Sequence, residues 1–475
     1  MRRSIVLLAL CAVPALAVVG ERSASACGGC FGPPPSPTES EDTVTAHRMV
    51  LSVSPQQTTL YDEIQYSGSP SSFAWVLPIA GQVTIGISAD AVFDTLDSSS
   101  TTTVSPPPVT CPSPPPGCAV PGTSNGAQLG GSGSSSGGSV NVSNQQTVGP
   151  YQTVQLQSTD ASALDDWLTT NGYDITSDIE PVIAAYVSQG FNFLAMKLVP
   201  GAGVQSMRPV RVTFSGASPT LPLRMVAAGT GAQVGITLWI VADGRWEPAN
   251  FPWFHIDDSQ IVWDWSASDS NYTTLRQQQE AATGFTSWEV ESSLDLDVAS
   301  MQEQIENLAQ YGGGFSSSGG GSGSGGTQSV GADGYEPIPA SGSDPGETAD
   351  QVMQDDLTAL FSGLSSSTFR LTRLRTDLAH SALSSDLQLQ AATDQSALSN
   401  LRTAAQSVNG PNCPVYDGCT VVGTAPYTPS GDAHGSSFGC STTASTGFDW
   451  TETAQLAGLT GLLGLVAFRA RRRRG

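Results

Sequence analysis

The residues from Trp253 to Asp258 carry side chains that could bind a ligand or transfer a proton. The run Trp-Phe-His-Ile-Asp-Asp places the imidazole of His255 beside the carboxylates of Asp257 and Asp258. This grouping suits a general base or a metal site, and Trp253 could stack on a sugar ring. The favoured alternative is an aromatic cluster that closes the core, with His255 hydrogen-bonded at its edge. These four are the candidate ligand-binding residues.

A second possible chemical site is the Cys-x-x-Cys motif formed by Cys27 and Cys30. In redox enzymes this motif opens a helix that follows a strand, and the helix lowers the pKa of one thiol. Here no strand is predicted before the motif, and the prolines at 33–35 prevent a helix after it. A redox site and a metal site with a second ligand pair are alternatives, but a structural disulfide is the favoured interpretation.

The other cysteines also favour disulfide bonds in an oxidising compartment. Once Cys11 is removed with the N-terminal leader described below, six of the seven remaining cysteines form three local pairs. We expect disulfides within these pairs, although spacing does not establish which cysteines are joined. The disulfide candidates are Cys27, Cys30, Cys111, Cys118, Cys413 and Cys419. The unpaired Cys440 is consistent with a separate role in anchoring or processing.

Composition and absent motifs predict no catalytic residue and no cofactor. With 42 acidic and 19 basic side chains the net charge is −23, which excludes a basic nucleic-acid-binding protein. The sole lysine, Lys197, lies between Met196 and Leu198, so there is no phosphate-binding Gly-Lys-Ser/Thr loop. The HExxH, GxSxG and DxDxDG motifs are also missing from the sequence.

The N-terminus has the features of a secretory signal peptide over residues 1–26. Arg2 and Arg3 precede an apolar run at 5–19, and a small-residue cleavage site follows at 24–26. Cleavage after Ala26 would make Cys27 the first residue of the exported protein. A lipoprotein signal is the alternative, but a charged pair at 21–22 separates the apolar run from Cys27.

The C-terminus has the features of a membrane segment followed by a cytoplasmic tail. Residues 451–468 are mostly apolar, and residues 469–475 are rich in arginine, which remains on the cytoplasmic side of a membrane. The alternative is a buried helix with a solvated tail. Together with Cys440, this arrangement resembles the myxobacterial type of C-terminal sorting signal. That resemblance implies processing at Cys440 by a sorting protease and anchoring at the cell surface or envelope.

The hydrophobic pattern predicts an α+β fold that is rich in β-structure. One domain at 27–402, interrupted by disordered Gly/Ser/Pro-rich insertions at about 98–148 and 312–349, is expected, followed by a Cys-containing stalk at 403–450. Two subdomains divided near residue 100 or 320 are the alternative. Predicted strands are 48–53, 58–61, 62–66, 72–77, 148–156, 191–199, 210–214, 221–227, 234–242, 369–375 and 387–390. Predicted helices are 89–96, 179–189, 350–364 and one that begins at Asp160.

Several segments, in this order along the chain, are similar to one bacterial family. They are Ala26-Cys-Gly-Gly-Cys-Phe31, Tyr66-Ser-Gly-Ser-Pro-Ser-Ser-Phe-Ala-Trp-Val-Leu-Pro78, Val148-Gly-Pro-Tyr151, Leu164-Asp-Asp-Trp-Leu-Thr-Thr-Asn-Gly-Tyr173, Phe191-Asn-Phe-Leu-Ala-Met-Lys197 and Leu371-Thr-Arg-Leu-Arg375. They resemble the exported proteins grouped as domain of unknown function 2330, over most of residues 26–402. The resemblance implies a location at the cell envelope and supplies no activity or catalytic residue.

Together these features predict an exported, envelope-anchored surface protein with a non-catalytic structural or adhesive role. A module that binds glycans or divalent metal ions outside the cell is the first alternative, and it depends on the candidate ligand-binding residues. An exported enzyme is the second alternative.

Overall fold

A computed structural model describes residues 43–67, 74–112, 146–156, 166, 169–170, 179–199, 206–227, 232–311, 334–340 and 346–427. The predicted signal peptide, the membrane segment at 451–468 and the arginine-rich tail lie outside the described residues, as do Ala26, Cys27, Cys30, Cys118 and Cys440. In the described part, no helix combines the length and the apolar character needed to cross a bilayer.

Two of the helices have recognisable start or stop residues. Pro181 lies in the first turn of its helix, and Gly190, with φ +81°, follows the end of the same helix. Thr348 and Gln351 form a reciprocal capping box at the start of another. The α-helices are α1 (Asp90–Ser100), α2 (Glu180–Ser188), α3 (Leu223–Val226), α4 (Tyr272–Ala282), α5 (Val298–Tyr311) and α6 (Ala349–Phe361).

An eight-stranded sheet forms the centre of the fold. Its order is β13 (Trp253–Phe254), β16 (Trp288–Asp297), β17 (Thr368–Ala379), β11 (Gln233–Ala242), β1 (Thr43–Val53), β2 (Gln57–Ser67), β9 (Val210–Ser215) and β4 (Thr84–Ile87). The neighbours are antiparallel except for the parallel pairs β13–β16 and β1–β11. A bulge in β16 between Val290 and Ser292 leaves Glu291 without a directly opposite residue.

The central strand β11 is buried along most of its length on both faces, as its apolar sequence predicts. Leu238 and Ile240 contribute to the core on one face of the sheet. Trp239 and Val241 contribute to a second core on the other face, with residues of α1, α5 and α6. The alternation follows from the two-residue period of a strand.

A four-stranded sheet packs on the first of these faces. Its order is β3 (Ala74–Ile79), β8 (Asn192–Leu198), β7 (Tyr151–Leu156) and β6 (Gln146–Val148). Trp75 and Leu77 of β3 join the core between the two sheets, whereas Val76 joins the core formed with α2. The layers are therefore helices, eight-stranded sheet, four-stranded sheet and helix.

Shorter strands complete the fold. One sheet has the order β10 (Thr220–Leu221), β18 (Leu387–Ala391), β12 (Trp246–Pro248), and another has the order β15 (Asp269–Ser270), β14 (Val262–Asp264), β20 (Gln406–Val408). The two-stranded sheets are β19 (Leu401–Thr403) with β5 (Thr103–Ser105), and β21 (Asn412–Asp417) with β22 (Thr420–Pro426).

The predicted α+β class is confirmed, and two local predictions are wrong. The segment 221–227 is a short strand followed by helix α3, because Pro222 has no N–H to donate to a continued ladder. Strand β3 continues through Pro78 to Ile79, where a stop was expected. A proline is tolerated there because β3 lies at the edge of its sheet.

The ordered structure extends into regions that were expected to be insertions or stalk. Helix α1 reaches Ser100 and β5 follows it, so the first insertion begins later than residue 98. In the second expected insertion, at 312–349, Ile338 and Glu347 form a β-bridge. Residues 401–426 contain four strands, and β20 pairs with β14, so the first part of the expected stalk belongs to the fold.

The expected local disulfides are wrong for the three described cysteines. Cys111 is bonded to Cys413, 302 residues later in the chain. Cys419 is disulfide-bonded as well. Neighbours in sequence were paired on spacing alone, but folding brings the segment after β5 to the base of the β21–β22 hairpin.

Candidate functional site

The short strand β13 positions His255 near the start of β16. Trp253 and Phe254 pair in parallel with Trp288 and Glu289. The chain then leaves the ladder, and the half-buried imidazole of His255 lies beside the Val290 carbonyl. A small core that includes Ile256, Ile261, Tyr272 and Ala404 fixes this turn of the chain.

Both nitrogens of His255 are used by groups of the chain itself. Nδ1 lies 2.8 Å from the carbonyl oxygen of Val290 and must carry the proton, because a carbonyl oxygen can only accept. Nε2 accepts from a guanidinium N–H of Arg402 at 3.2 Å. Burial lowers the pKa of His255, and the charge of Arg402 lowers it further. The imidazole is therefore neutral at neutral pH.

Arg402 joins His255 to Asp258 and to Tyr272. The guanidinium also donates to the carbonyl of Ile256 and lies 2.5 Å from the Asp258 carboxylate. Its central carbon is 5.6 Å from the centre of the Tyr272 ring. Only 5% of Arg402 is exposed. Arg402 is thus the centre of the cluster, although it lies in β19, far from Trp253–Asp258 in sequence.

The other two candidates do not share this cluster. The exposed Asp257 caps a 3-10 turn at Asp258–Gln260 by accepting from the backbone N–H of Ser259 at 2.8 Å. Hydrogen bonding by the Ser259 side chain, and then by its backbone N–H, lowers the pKa of Asp257. Trp253 is 38% exposed at the edge strand of the large sheet. The structure therefore brings His255 and Asp258 together through Arg402, while Asp257 stabilises a turn.

A chain of buried polar contacts continues from Tyr272 into the sheet. The Tyr272 hydroxyl donates to Glu289 at 2.5 Å. Burial and the nearby charge of Glu291 raise the pKa of Glu289 to about 7. Glu291 in turn pairs with Arg373 at 2.8 Å, and Arg373 pairs with Asp97 of α1 at 2.6 Å. These contacts attach α1 and α4 to the neighbouring strands β16 and β17.

Strand register extends this polar arrangement across the sheet. Glu289 is opposite Arg375, Arg375 is opposite Thr237, Thr237 is opposite Arg48, and Arg48 is opposite Glu63. All five side chains therefore lie on the face that carries the helices. Burial raises the pKa of Glu63 to about 7 despite its ion pair with Arg48 at 2.9 Å.

A second buried cluster surrounds Asp356 of α6. Its carboxylate accepts from the hydroxyls of Ser88 and Tyr335 at 2.6 and 2.8 Å, and Arg211 lies 3.3 Å away. Burial raises the pKa of Asp356. A side chain at Gly86, which is opposite Arg211 in the sheet, would collide with that guanidinium. The cluster joins α6 to β9 and to Ser88, which directly follows β4.

One cavity lies between the two main sheets and contains little space. It has a volume of about 20 Å³, room for about one water molecule. Its lining is mostly apolar and includes Met49, Trp75 and Met225 with the carboxylate of Asp62. Asp62 lies 3.1 Å from the buried imidazole of His47, so the charged part of the wall is paired within the chain.

The sequence interpretation missed Arg402, Tyr272 and Glu289. Arg402 and His255 are 147 residues apart, and no local pattern links them. The signal for Glu289 was present, because glutamates at 289 and 291 alternate with Trp288 and Val290 and must share one face of a strand. In the described part, no group of three or more His, Cys, Asp or Glu side chains could hold a metal ion.

The arrangement as a whole is suited to holding elements together. Every polar atom of the His255 ring is used internally, and the carboxylates of Asp257 and Asp258 are committed to a turn and to Arg402. A substrate or ligand would have to displace one of these partners before the imidazole could accept a proton.

Comparison with known proteins gives a family and nothing more specific. No curated protein matches the chain, and no solved structure matches it. A family model described as an uncharacterized protein conserved in bacteria, DUF2330, matches residues 22–312. The match ends before Leu371–Arg375, one of the segments on which the resemblance was based. Because the match covers more than half of the 475 residues, the chain belongs to the bacterial family DUF2330.

Proposed function

We propose that the protein is an exported, non-catalytic structural or adhesive component of the bacterial cell envelope. The observation that carries the proposal is the Cys111–Cys413 disulfide, which joins residues 302 positions apart. Such bonds persist in oxidising compartments and are rare in the reducing cytosol. The signal peptide at residues 1–26 supplies the route to that compartment.

The internal use of the candidate ligand-binding residues supports a role without catalysis. The neutral His255 is held between Val290 and Arg402, and Asp258 is paired with Arg402. A general base needs a free lone pair that faces a substrate. This cluster instead connects β13, β19 and α4, and such a connection is a structural role.

Anchoring is assigned to the C-terminal part of the chain. In this proposal the membrane segment at 451–468 and the arginine-rich tail at 469–475 direct the protein to a membrane, and a sorting protease processes it at Cys440.

Intact mass of the protein recovered from the cell envelope tests export and anchoring together. We expect the mass of a chain that begins at Cys27 and has its disulfides formed. We also expect this chain to be degraded when intact cells are treated with protease. A variant that lacks residues 451–475 serves as the control, and we expect it in the medium. A cytoplasmic chain that retains residues 1–26 and has reduced cysteines would contradict the proposal.

Glycan binding outside the cell is a second candidate, and it is favoured by the exposure of Trp253. A tryptophan that is 38% exposed at a sheet edge offers a face on which a sugar ring can stack. Calorimetric titration with a panel of glycans, and with Ca²⁺, Zn²⁺ and Cu²⁺, tests this candidate. A heat of glycan binding that is lost in the Trp253→Ala variant would support glycan binding. The absence of a heat of binding with all of these probes would contradict it.

A further inference from the structure

Arg375 of β17 differs from the other arginines of the described chain because it has no ion pair. Each of the others lies within 4.0 Å of a carboxylate oxygen. The half-buried Arg375 makes neither an ion pair nor a hydrogen bond through its guanidinium with a described residue. Acidic side chains are not scarce, since the sequence has 42 of them against 19 basic ones. A guanidinium is always charged and has five N–H donors, so this unpaired arginine needs an explanation.

Arg375 lies on a part of the large sheet that the helices leave uncovered. On the face that carries α1, α5 and α6, the side chains of Trp239, Phe369 and Leu371 are buried beneath these helices. Further along β11 and β17 on the same face, four residues are only half-buried. We call these four residues the open strip, and they are Gly235, Thr237, Arg375 and Asp377.

The open strip also contains an unpaired carboxylate. Asp377 is opposite Gly235, and Arg375 is opposite Thr237. The Asp377 carboxylate has no ion pair or hydrogen bond with a described residue. A Cβ on Gly235 would lie 3.2 Å from its Oδ1, so the glycine leaves space beside this oxygen. Two residues apart on one strand, Arg375 and Asp377 share a face at a spacing of about 6.6 Å, and they carry opposite charges without pairing to each other.

The acidic side chains next to Arg375 have other partners. Glu289 is directly opposite Arg375 in the neighbouring strand β16, but its carboxyl group accepts from the hydroxyl of Tyr272. Glu280 of α4 lies 3.9 Å from Arg276, one turn earlier in the same helix. The two unpaired charges of the open strip are therefore available to a partner from solution.

We propose that the open strip binds a small zwitterion, whose carboxylate lies on Arg375 and whose ammonium group lies on Asp377. The planar guanidinium offers two parallel N–H groups to a carboxylate, and an ammonium group donates to the oxygens of an aspartate. The charges of the strip also select against other ligands. Asp377 and the nearby Glu280 repel a dianion such as phosphate, and Arg375 repels a ligand that is only a cation. This binding is separate from the anchoring and adhesive roles.

Ligand-observed saturation-transfer NMR with the full-length protein tests the proposal with three probes of matched length. γ-Aminobutyrate carries both charged groups, butyrate carries only the carboxylate, and butylamine carries only the ammonium group. We expect saturable binding of γ-aminobutyrate with a Kd in the millimolar range. Butyrate should bind about two- to fivefold more weakly, because it lacks the solvent-exposed contact with Asp377, and butylamine should not bind. No saturable binding of γ-aminobutyrate, or equal binding of butyrate, would overturn the proposal.

Three variants assign the two ends of the ligand. Arg375→Gln should weaken the binding of γ-aminobutyrate and of butyrate by about tenfold, because both lose the bidentate contact. Asp377→Asn should leave butyrate binding unchanged and reduce the affinity for γ-aminobutyrate to that for butyrate. Arg370→Gln is the matched control, since it makes the same change of charge on the opposite face of β17, where Arg370 pairs with Asp295. Unchanged binding in Arg375→Gln, or equal losses in Arg370→Gln, would contradict the assignment.

Denaturant unfolding of the same variants separates ligand binding from a structural role. Because Arg375 has no partner among the described residues, we expect Arg375→Gln to unfold at the same denaturant concentration as the unaltered protein. Added γ-aminobutyrate should raise that concentration for the unaltered protein and not for the variant, since a ligand stabilises only the protein that binds it. A variant that loses stability without ligand, together with an unaltered protein that γ-aminobutyrate does not stabilise, would show that Arg375 is a structural residue.

Discussion

Burial lowers the pKa of His255 most, and Arg402, which donates a hydrogen bond to Nε2, lowers it further through its positive charge. Replacement by glutamine removes that charge, so we expect the pKa of His255 to rise towards its ordinary value. It also leaves the carboxylate of Asp258 without its partner. We expect a loss of about 1–3 kcal/mol in the free energy of unfolding.

NMR titration of the His255 ring and denaturant unfolding measure both effects. Asp295→Asn is the matched control, since that carboxylate is 63% exposed and pairs with Arg370 instead. An unchanged pKa of His255 in Arg402→Gln would show that the guanidinium does not face the ring in solution.

Gly86 is required by the position of the Arg211 guanidinium. In Gly86→Ala the new methyl group would push Arg211 away from Asp356, which is 1% exposed and would remain as a buried charge with fewer partners. We expect a loss of roughly 2–4 kcal/mol, measured by denaturant unfolding. Gly423→Ala is the control, because an added Cβ there meets no atom within 4 Å. Equal stability of the two variants would contradict this role for Gly86.

Sequence analysis identified some residues of the Arg402 cluster and missed others. His255 and Asp258 were found because their residue types are adjacent in the chain. Arg402 and Glu289 were not found, because their contacts with Tyr272 and His255 depend on how β16 and β19 are brought together. Only the tertiary structure shows that Asp257 caps a turn.

Helix α4 is attached to the sheet by polar side chains at a spacing of four residues. Tyr272, Arg276 and Glu280 are its buried residues, and they face Glu289 and Arg375. Burial raises the pKa of both Glu280 and Glu289 to about 7. With little apolar surface in this contact, the protonation of the two carboxyls is expected to control how firmly α4 is held.

The sign of the pH dependence follows from the direction of these shifts. The folded pKa of about 7 lies above the ordinary value of 4.5, so between these values the folded chain binds more protons than the unfolded chain. Stability therefore falls as pH rises from about 4.5 to 7, on the order of 1 kcal/mol per pH unit for each carboxyl, and levels off above 7.

Hydrogen exchange in α4 and denaturant unfolding across this pH range check the expectation. The double variant Glu280→Gln, Glu289→Gln should show a flatter profile, and Asp295→Asn should follow the unaltered protein. Stability that rises between pH 5 and 7, with protection of α4 rising in parallel, would show that these carboxyls are ionised in the folded protein.

Sequence pattern predicted the elements whose signals are local. The apolar run of β11 indicated a central strand, and Pro181 with Gly190 marked the limits of α2. The prediction of one strand over 221–227 was wrong because the apolar residues there suit either a strand or a helix. Pro222 ends the strand, and a helix follows. Strands at 401–426 were missed because they are short or mostly exposed and do not alternate apolar with polar residues.

At the scale of the whole molecule, the Cys111–Cys413 bond links the first and last parts of the described chain. Opening the Cys111–Cys413 bond, by reduction or in a Cys111→Ser, Cys413→Ser variant, is expected to lower the free energy of unfolding by about 2–4 kcal/mol. Thermal unfolding measures this, with Cys440→Ser as the control. A variant as stable as the unaltered protein would show that the link contributes nothing to folding.

Neither the arrangement of the layers nor the Cys111–Cys413 bond could be predicted from the sequence, and the reason is the same for both. Both depend on contacts between residues far apart in the chain, such as the pairing of β1 with β11 and of β5 with β19. The α+β class follows from periodicity, whereas strand order does not.

The same bond has a mechanical consequence. When the chain is pulled beyond Tyr427, tension enters the β21–β22 hairpin and passes at Cys413 into Cys111. The 302-residue separation between these cysteines is then bypassed by a single covalent connection. An applied force would therefore act along the residues outside this loop, among them strands β1, β2 and β4, whereas the sheet strands inside the loop, β9, β11, β13, β16 and β17, would carry no tension along the chain.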